Sequence, residues 1–107
     1  MKKLADKEFK DLLQQCVAAW GADSQKLMAI EEMAELTQEL AKHLWRDHGN
    51  KEKIAKNEQD IREEIADVLI TVAQMRYIFG EDEVDTIINR KMQRLADRLK
   101  NWQEEQK

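Results

Sequence analysis

Proline is absent from this chain, and glycine occurs only at Gly21, Gly49 and Gly80. Strand signals are also missing, as is any internal repeat or low-complexity tract. The single cysteine, Cys16, excludes an intrachain disulfide. Met1-Lys2-Lys3 leads into an amphipathic stretch rather than an apolar signal core, so a reducing, cytoplasmic setting is expected. The longest apolar-rich stretch, 65–75, contains Asp67 and falls far short of the ~18 residues of a membrane span. No glycine-rich phosphate loop is present, which excludes a P-loop enzyme. An excess of cations is lacking too. The formal net charge of −4 argues against general affinity for nucleic acid or an anionic membrane.

Charge of both signs is abundant. Asp, Glu, Lys and Arg make up 37% of the 107 residues, and the apolar residues between them recur at helical spacing. That pattern predicts an all-α fold in a single domain over 1–107. Glycine adopts the left-handed backbone that ends many helices, so the three glycines read as three interhelical breaks. They divide the chain into helices over about 4–20, 24–48, 57–79 and 83–102. Asp23 or Ser24, Asn57 with Asp60 behind it, and Asp82 with Asp85 behind it are the expected N-caps. Three of the helices carry one apolar face each. In the third, Ile65, Val68, Leu69, Ile70, Val72, Met75 and Ile78 reach nearly around the axis. Such a helix needs cover on all sides, so it is expected to be central, with an oligomer completing its burial.

Within that third helix, Glu64, Asp67 and Thr71 fall on one stripe at roughly 100° per residue, with Gln74 nearby. Carboxylates on an apolar surface are costly unless they are paired or bind a metal. No basic residue occurs between Arg62 and Arg76. The second helix carries Glu31, Glu32, Glu35 and Glu39, and Glu32 and Glu35 share the three-residue spacing of Glu64 and Asp67. If the two helices pack antiparallel, the pairs face each other and offer four carboxylates. Oxygen-only ligands suit Mg²⁺ or Mn²⁺ better than zinc. With 22 acidic residues in the chain, however, such spacings also recur by chance. The second-helix glutamates lie away from their helix's main apolar arc, as an ordinary solvated face would. Pattern alone leaves both readings open.

Glu31-Glu32-Met33-Ala34-Glu35, followed by Glu64-Ile65-Ala66-Asp67, resembles the EExxE…ExxD signature of the MazG-like, all-α nucleoside triphosphate pyrophosphohydrolases. Trp20-Gly21 ahead of Gln25, Ala66-Asp67-Val68-Leu69 and Asn89-Arg90-Lys91-Met92 extend the resemblance over essentially the whole chain. The resemblance implies a four-helix bundle that packs as a homodimer or homotetramer. It implies Mg²⁺ bound by Glu32, Glu35, Glu64 and Asp67, with Glu31 binding a second ion or orienting water. It also implies cleavage of a (d)NTP between the α- and β-phosphates, giving a nucleoside monophosphate and pyrophosphate.

A triphosphate needs cationic donors as well. Lys91, Arg94 and Arg98 share a face of the fourth helix, and Lys91 and Arg94, with Asn89, are the expected phosphate contacts. A solvated basic face near a helix C-terminus produces the same pattern. Lys42 and Arg46 are weaker candidates. Trp20, Trp45 and Trp102 could serve as aromatic platforms for a base, but core or interface packing is the stronger reading of each. His43 and His48 form no Glu-x-x-His unit, which argues against di-iron chemistry. Cys16 reads as a small buried residue. The competing functional reading is a non-catalytic helical assembly module whose acidic clusters are surface or structural.

Overall fold

The computed structural model describes residues 1–45 and 49–107. Four helices follow one another: α1 (Lys7–Trp20), α2 (Ala22–Trp45), α3 (Lys51–Phe79) and α4 (Glu81–Glu105). No strand occurs among the described residues, so the all-α expectation holds. Met1–Tyr77 forms one compact unit and Ile78–Lys107 a second.

Two of the three glycine breaks mark sharp helix boundaries. Gly21 and Gly80 adopt φ of +91° and +106°, a region that a side chain disfavours, and α2 and α4 each begin at the next residue. The expected N-caps therefore sit two or three residues too late. Asp23 lies in the first turn of α2, where its charge complements the helix dipole and pairs with Lys26 at 3.2 Å. Asp82 likewise lies inside the first turn of α4.

The largest boundary difference is at α3, which begins six residues ahead of the expected start. The lysine-rich stretch read as a loop is helical, and Asn50 caps it by accepting the Lys53 N–H at 3.1 Å. Asn57 is consequently a helix-interior residue rather than a cap. Its side chain is 3% exposed, and its Nδ2 donates to Glu39 Oε2 at 2.9 Å and to the Glu39 carbonyl at 3.3 Å. An amide left unpaired in that position would cost about 1–3 kcal/mol. The predicted end of α2 at residue 48, together with Arg46 and His48, lies outside the described residues.

Within the first unit α2 and α3 run antiparallel. Glu39 meets Asn57, Glu32 and Glu35 meet Glu64, and Gln25 shares a cavity with Gln74, so α3 numbers fall as α2 numbers rise. α1 and the segment before it close one side: Leu4, with Phe9, Leu12 and Leu13 of α1, gathers around Ile70 of α3. α1 and α2 do not cover α3 on every side. Ile65, Leu69 and Ile70 remain exposed, and the α3 residues that are buried are the polar Asn57, Thr71 and Gln74. Among the described residues the only buried hydrophobic side chain is Ala29 on α2. The second unit is α4 with its preceding turn, and Ile87, Ile88, Met92, Leu95, Leu99 and Trp102 are all exposed along it.

Candidate functional site

The antiparallel register of α2 and α3 brings acidic residues from both helices to one place. Carboxylate oxygens of Glu32, Glu35 and Glu64 lie within 4.8 Å of one another. Glu32 and Glu64 are half-buried and Glu35 is exposed. One oxygen of each half-buried carboxylate, Glu32 Oε2 and Glu64 Oε2, is shielded from solvent and has no hydrogen-bond partner. No ion pair reaches any of these three acids among the described residues.

The electrostatic consequence is a reluctance to ionise. Burial, followed by the charge of Glu35 and hydrogen bonds to Glu35 and Glu32, pushes the Glu64 carboxyl up to about 7 from its ordinary 4.5. Burial also raises Glu32, with the charges of Asp67 and Glu35 adding to the effect and a hydrogen bond to Glu64 opposing it. Carboxyls so placed form a coupled set that lacks a positive partner. An all-oxygen, anionic donor set with shielded and unpartnered oxygens fits a hard divalent cation such as Mg²⁺ or Mn²⁺.

The other acids named from the sequence are placed differently. Asp67 lies one turn further along α3, at the edge of the cluster; it is exposed, and its charge is felt at Glu32. Glu31 is exposed on α2 and is not part of the cluster. Glu39, which carries no expected role, is anchored between Asn57 and Lys42. Its 3.0 Å bond to Lys42 engages the cation that had been a weaker phosphate candidate. Asn89, Lys91 and Arg94 belong to the second unit, all exposed on α4. Lys91, Arg94 and Arg98 line one shallow depression there, with Met92 and Leu95 between them.

Beside the carboxylates, and wholly within the first unit, is a cavity of about 440 Å³. Glu32 and Asp67 form its acidic margin, and Leu13, Met28 and Ile70 are its apolar walls. Gln25, Thr71 and Gln74 line it as well, all three buried. Cys16 lies in its wall half-buried rather than sealed in a core, and Trp20, 65% exposed, stands at its rim. Thr71 belongs to the acidic stripe expected from the sequence and Gln74 lies near it, whereas Gln25 carries no expected role. The available signal was a pair of uncharged polar residues on helix faces that point inward.

This geometry agrees with a comparison against protein-family models. The model of the MazG nucleotide pyrophosphohydrolase domain matches residues 21–102. The chain belongs to the MazG family. No curated protein and no solved structure matches it. The MazG match begins at Gly21, so it takes in the carboxylate cluster and the basic face of α4 but leaves α1 outside. The cavity walls contributed by Leu13, Cys16 and Trp20 therefore precede the matched MazG segment.

Proposed function

We propose that this MazG-family chain hydrolyses nucleoside triphosphates between the α- and β-phosphates, releasing a nucleoside monophosphate and pyrophosphate in a reaction that depends on Mg²⁺ or Mn²⁺. The observation that carries this reading is the meeting of Glu32, Glu35 and Glu64 with two shielded, unpartnered oxygens, next to a cavity of nucleoside size. Glu32, Glu35 and Glu64, with Asp67 at the margin, would hold the cation. When bound, the cation supplies phosphate-charge neutralisation and a water of lowered pKa.

The chain's own residues then have separable tasks. The half-buried Glu32 and Glu64 fix the position of the charge, because their helix backbones and the register between α2 and α3 leave them little freedom. Exposed Glu35 and Asp67 close the set from the solvent side. Glu31 is assigned the orientation of attacking water, a role that its exposure beside the cluster permits. Lys91 and Arg94, with Asn89, are assigned to the polyphosphate on the strength of the family pattern and their shared face on α4.

The direct test is pyrophosphate release from a panel of ribo- and deoxynucleoside triphosphates, each with Mg²⁺, with Mn²⁺ and with chelator. Turnover of at least one triphosphate that stops on chelation is the expected result. No turnover across the panel would favour the non-catalytic assembly module.

The exposed apolar surface bears on the assembly. Leu27, Ile30 and Met33 on α2, Ile65 and Leu69 on α3, and the apolar row on α4 are all open to solvent in the single chain. Soluble monomers rarely leave so much apolar surface uncovered. The protein is accordingly proposed to function as a homodimer or homotetramer. Multi-angle light scattering at micromolar concentration should give at least twice the 12.6 kDa chain mass; a stable monomer would contradict the assignment.

A further inference from the structure

Two glutamine amides in the cavity wall carry no hydrogen bond to the described residues. Gln25 and Gln74 are 5% and 4% exposed, and both line the cavity beside the carboxylates. No hydrogen bond involves either side-chain amide among the described residues. Neither amide is among the side-chain atoms sealed from solvent, so both open to the cavity, where a ligand can meet them. Thr71, between them in the cavity wall, is already satisfied as a donor: its hydroxyl bonds to the Val68 carbonyl at 3.0 Å and can only accept from a ligand.

We propose that this cavity receives the nucleoside and that Gln25 and Gln74 read the base through their side-chain amides. The inference rests on the hydrolase reading and adds to it the groups that recognise the substrate. A primary amide presents a donor and an acceptor side by side, the complement of a neutral base edge on which a donor adjoins an acceptor. The rest of the cavity suits a flat heterocycle: apolar walls from Leu13, Met28 and Ile70, and an indole at the rim. Among the described residues no cationic side chain lines it, so the phosphates have no reason to enter. Glu32 and Asp67 lie at the margin, where the chain of phosphates would leave the nucleoside and meet the carboxylate cluster. Position and chemistry therefore order the ligand with its base among the amides and its phosphates at the acids.

The test has a catalytic and a metal-free arm. In the first, kcat/KM is measured for natural deoxynucleoside triphosphates and for triphosphates carrying shape-matched apolar base analogues. The expected preference of the native chain for hydrogen-bonding bases is about 10–100-fold, because an unmatched analogue leaves an amide unpaired at a cost of about 1–3 kcal/mol. Q25L and Q74L should each shrink that ratio several-fold, with circular dichroism confirming the helices. In the second arm, dAMP, dGMP, dCMP and dTMP are titrated without metal into the ¹⁵N-labelled native chain, whose glutamine side-chain signals are assigned through bonds from the backbone. At least one monophosphate should shift the Gln25 and Gln74 amide signals, and inorganic pyrophosphate should not. Equal turnover of natural and apolar bases, or amide signals that no nucleotide moves, would overturn the proposal while leaving triphosphate hydrolysis standing. If no triphosphate is turned over, the hydrolase reading fails and the metal-free arm alone decides whether the cavity binds nucleosides. The same arm decides if either variant does not fold.

Discussion

Glu64→Gln is expected to lower metal-dependent pyrophosphate release by roughly 10²–10³-fold or more, with the helical content and thermal midpoint of the metal-free protein preserved or improved. The two halves of this expectation have the same cause. Glu64 has one oxygen shielded and unpartnered and lies within 4.8 Å of carboxylate oxygens of Glu32 and Glu35. A negative charge there is useful only when a cation balances it; without one, it repels its neighbours. Glutamine removes the charge at nearly constant shape, so it relieves the metal-free protein and disables the loaded one. A merely structural Glu64 would give the opposite result, with stability lost and turnover falling only in proportion to unfolding. Asp67→Asn should have a smaller effect on turnover, of about 10–100-fold, because Asp67 is exposed at the edge of the cluster. A Glu64→Gln enzyme retaining a tenth or more of native turnover would remove Glu64 from the ligand set.

The second large effect is a linkage between protons, metal and stability. In the metal-free fold Glu64 holds its proton up to about pH 7, whereas in the unfolded chain it ionises near 4.5. The folded state therefore binds more protons across that window. Its contribution to stability is fully present below about pH 4.5 and is lost as pH rises through about 7. Glu32, also raised, acts in the same direction. The difference in thermal midpoint between Glu64→Gln and the native chain should thus widen in favour of the variant between pH 5 and pH 8 without metal. Subtracting the two chains cancels the acid response of the other carboxylates. A divalent cation replaces the proton, so Mg²⁺ should stabilise the native chain most at pH 8, by about 2.7 kcal/mol when present at 100 times its Kd. Its apparent affinity should rise by up to about tenfold per pH unit below pH 7. Scanning calorimetry with and without Mg²⁺ at pH 5.5 and 8 measures all of these. Parallel curves for the two chains at every pH would show that Glu64 is not the titrating group.

The residues of the cluster were legible in the sequence to unequal degrees. Glu64 stood out because a carboxylate interrupts a surface that is otherwise apolar, and that signal is local to one helix. Glu32 and Glu35 did not, since an exposed acidic face explains their spacing equally well; family resemblance singled them out. The close set is two acids from α2 and one from α3, with Asp67 beside it rather than within it. Asn57 was misread for a related reason. A polar residue at the edge of a lysine-rich stretch has the composition of a cap, and only its bond to Glu39 shows that the helix begins earlier, at Lys51. The all-round apolar surface of α3 was expected to need an oligomer for its cover, and Ile65, Leu69 and Ile70 stay open in the single chain.

The sequence by itself determined that this protein is helical, where Gly21 and Gly80 break it, and which family it belongs to. Helical periodicity, a missing proline and a glycine at positive φ act within a few residues, so they can be read from the chain alone. The tertiary structure decided which acids meet, why Glu64 resists ionisation, and that Gln25 and Gln74 share one cavity without a hydrogen bond to the described residues. Those properties depend on the register between α2 and α3, which is set by helix starts and packing across nearly fifty residues of chain. No spacing rule within one helix contains that information.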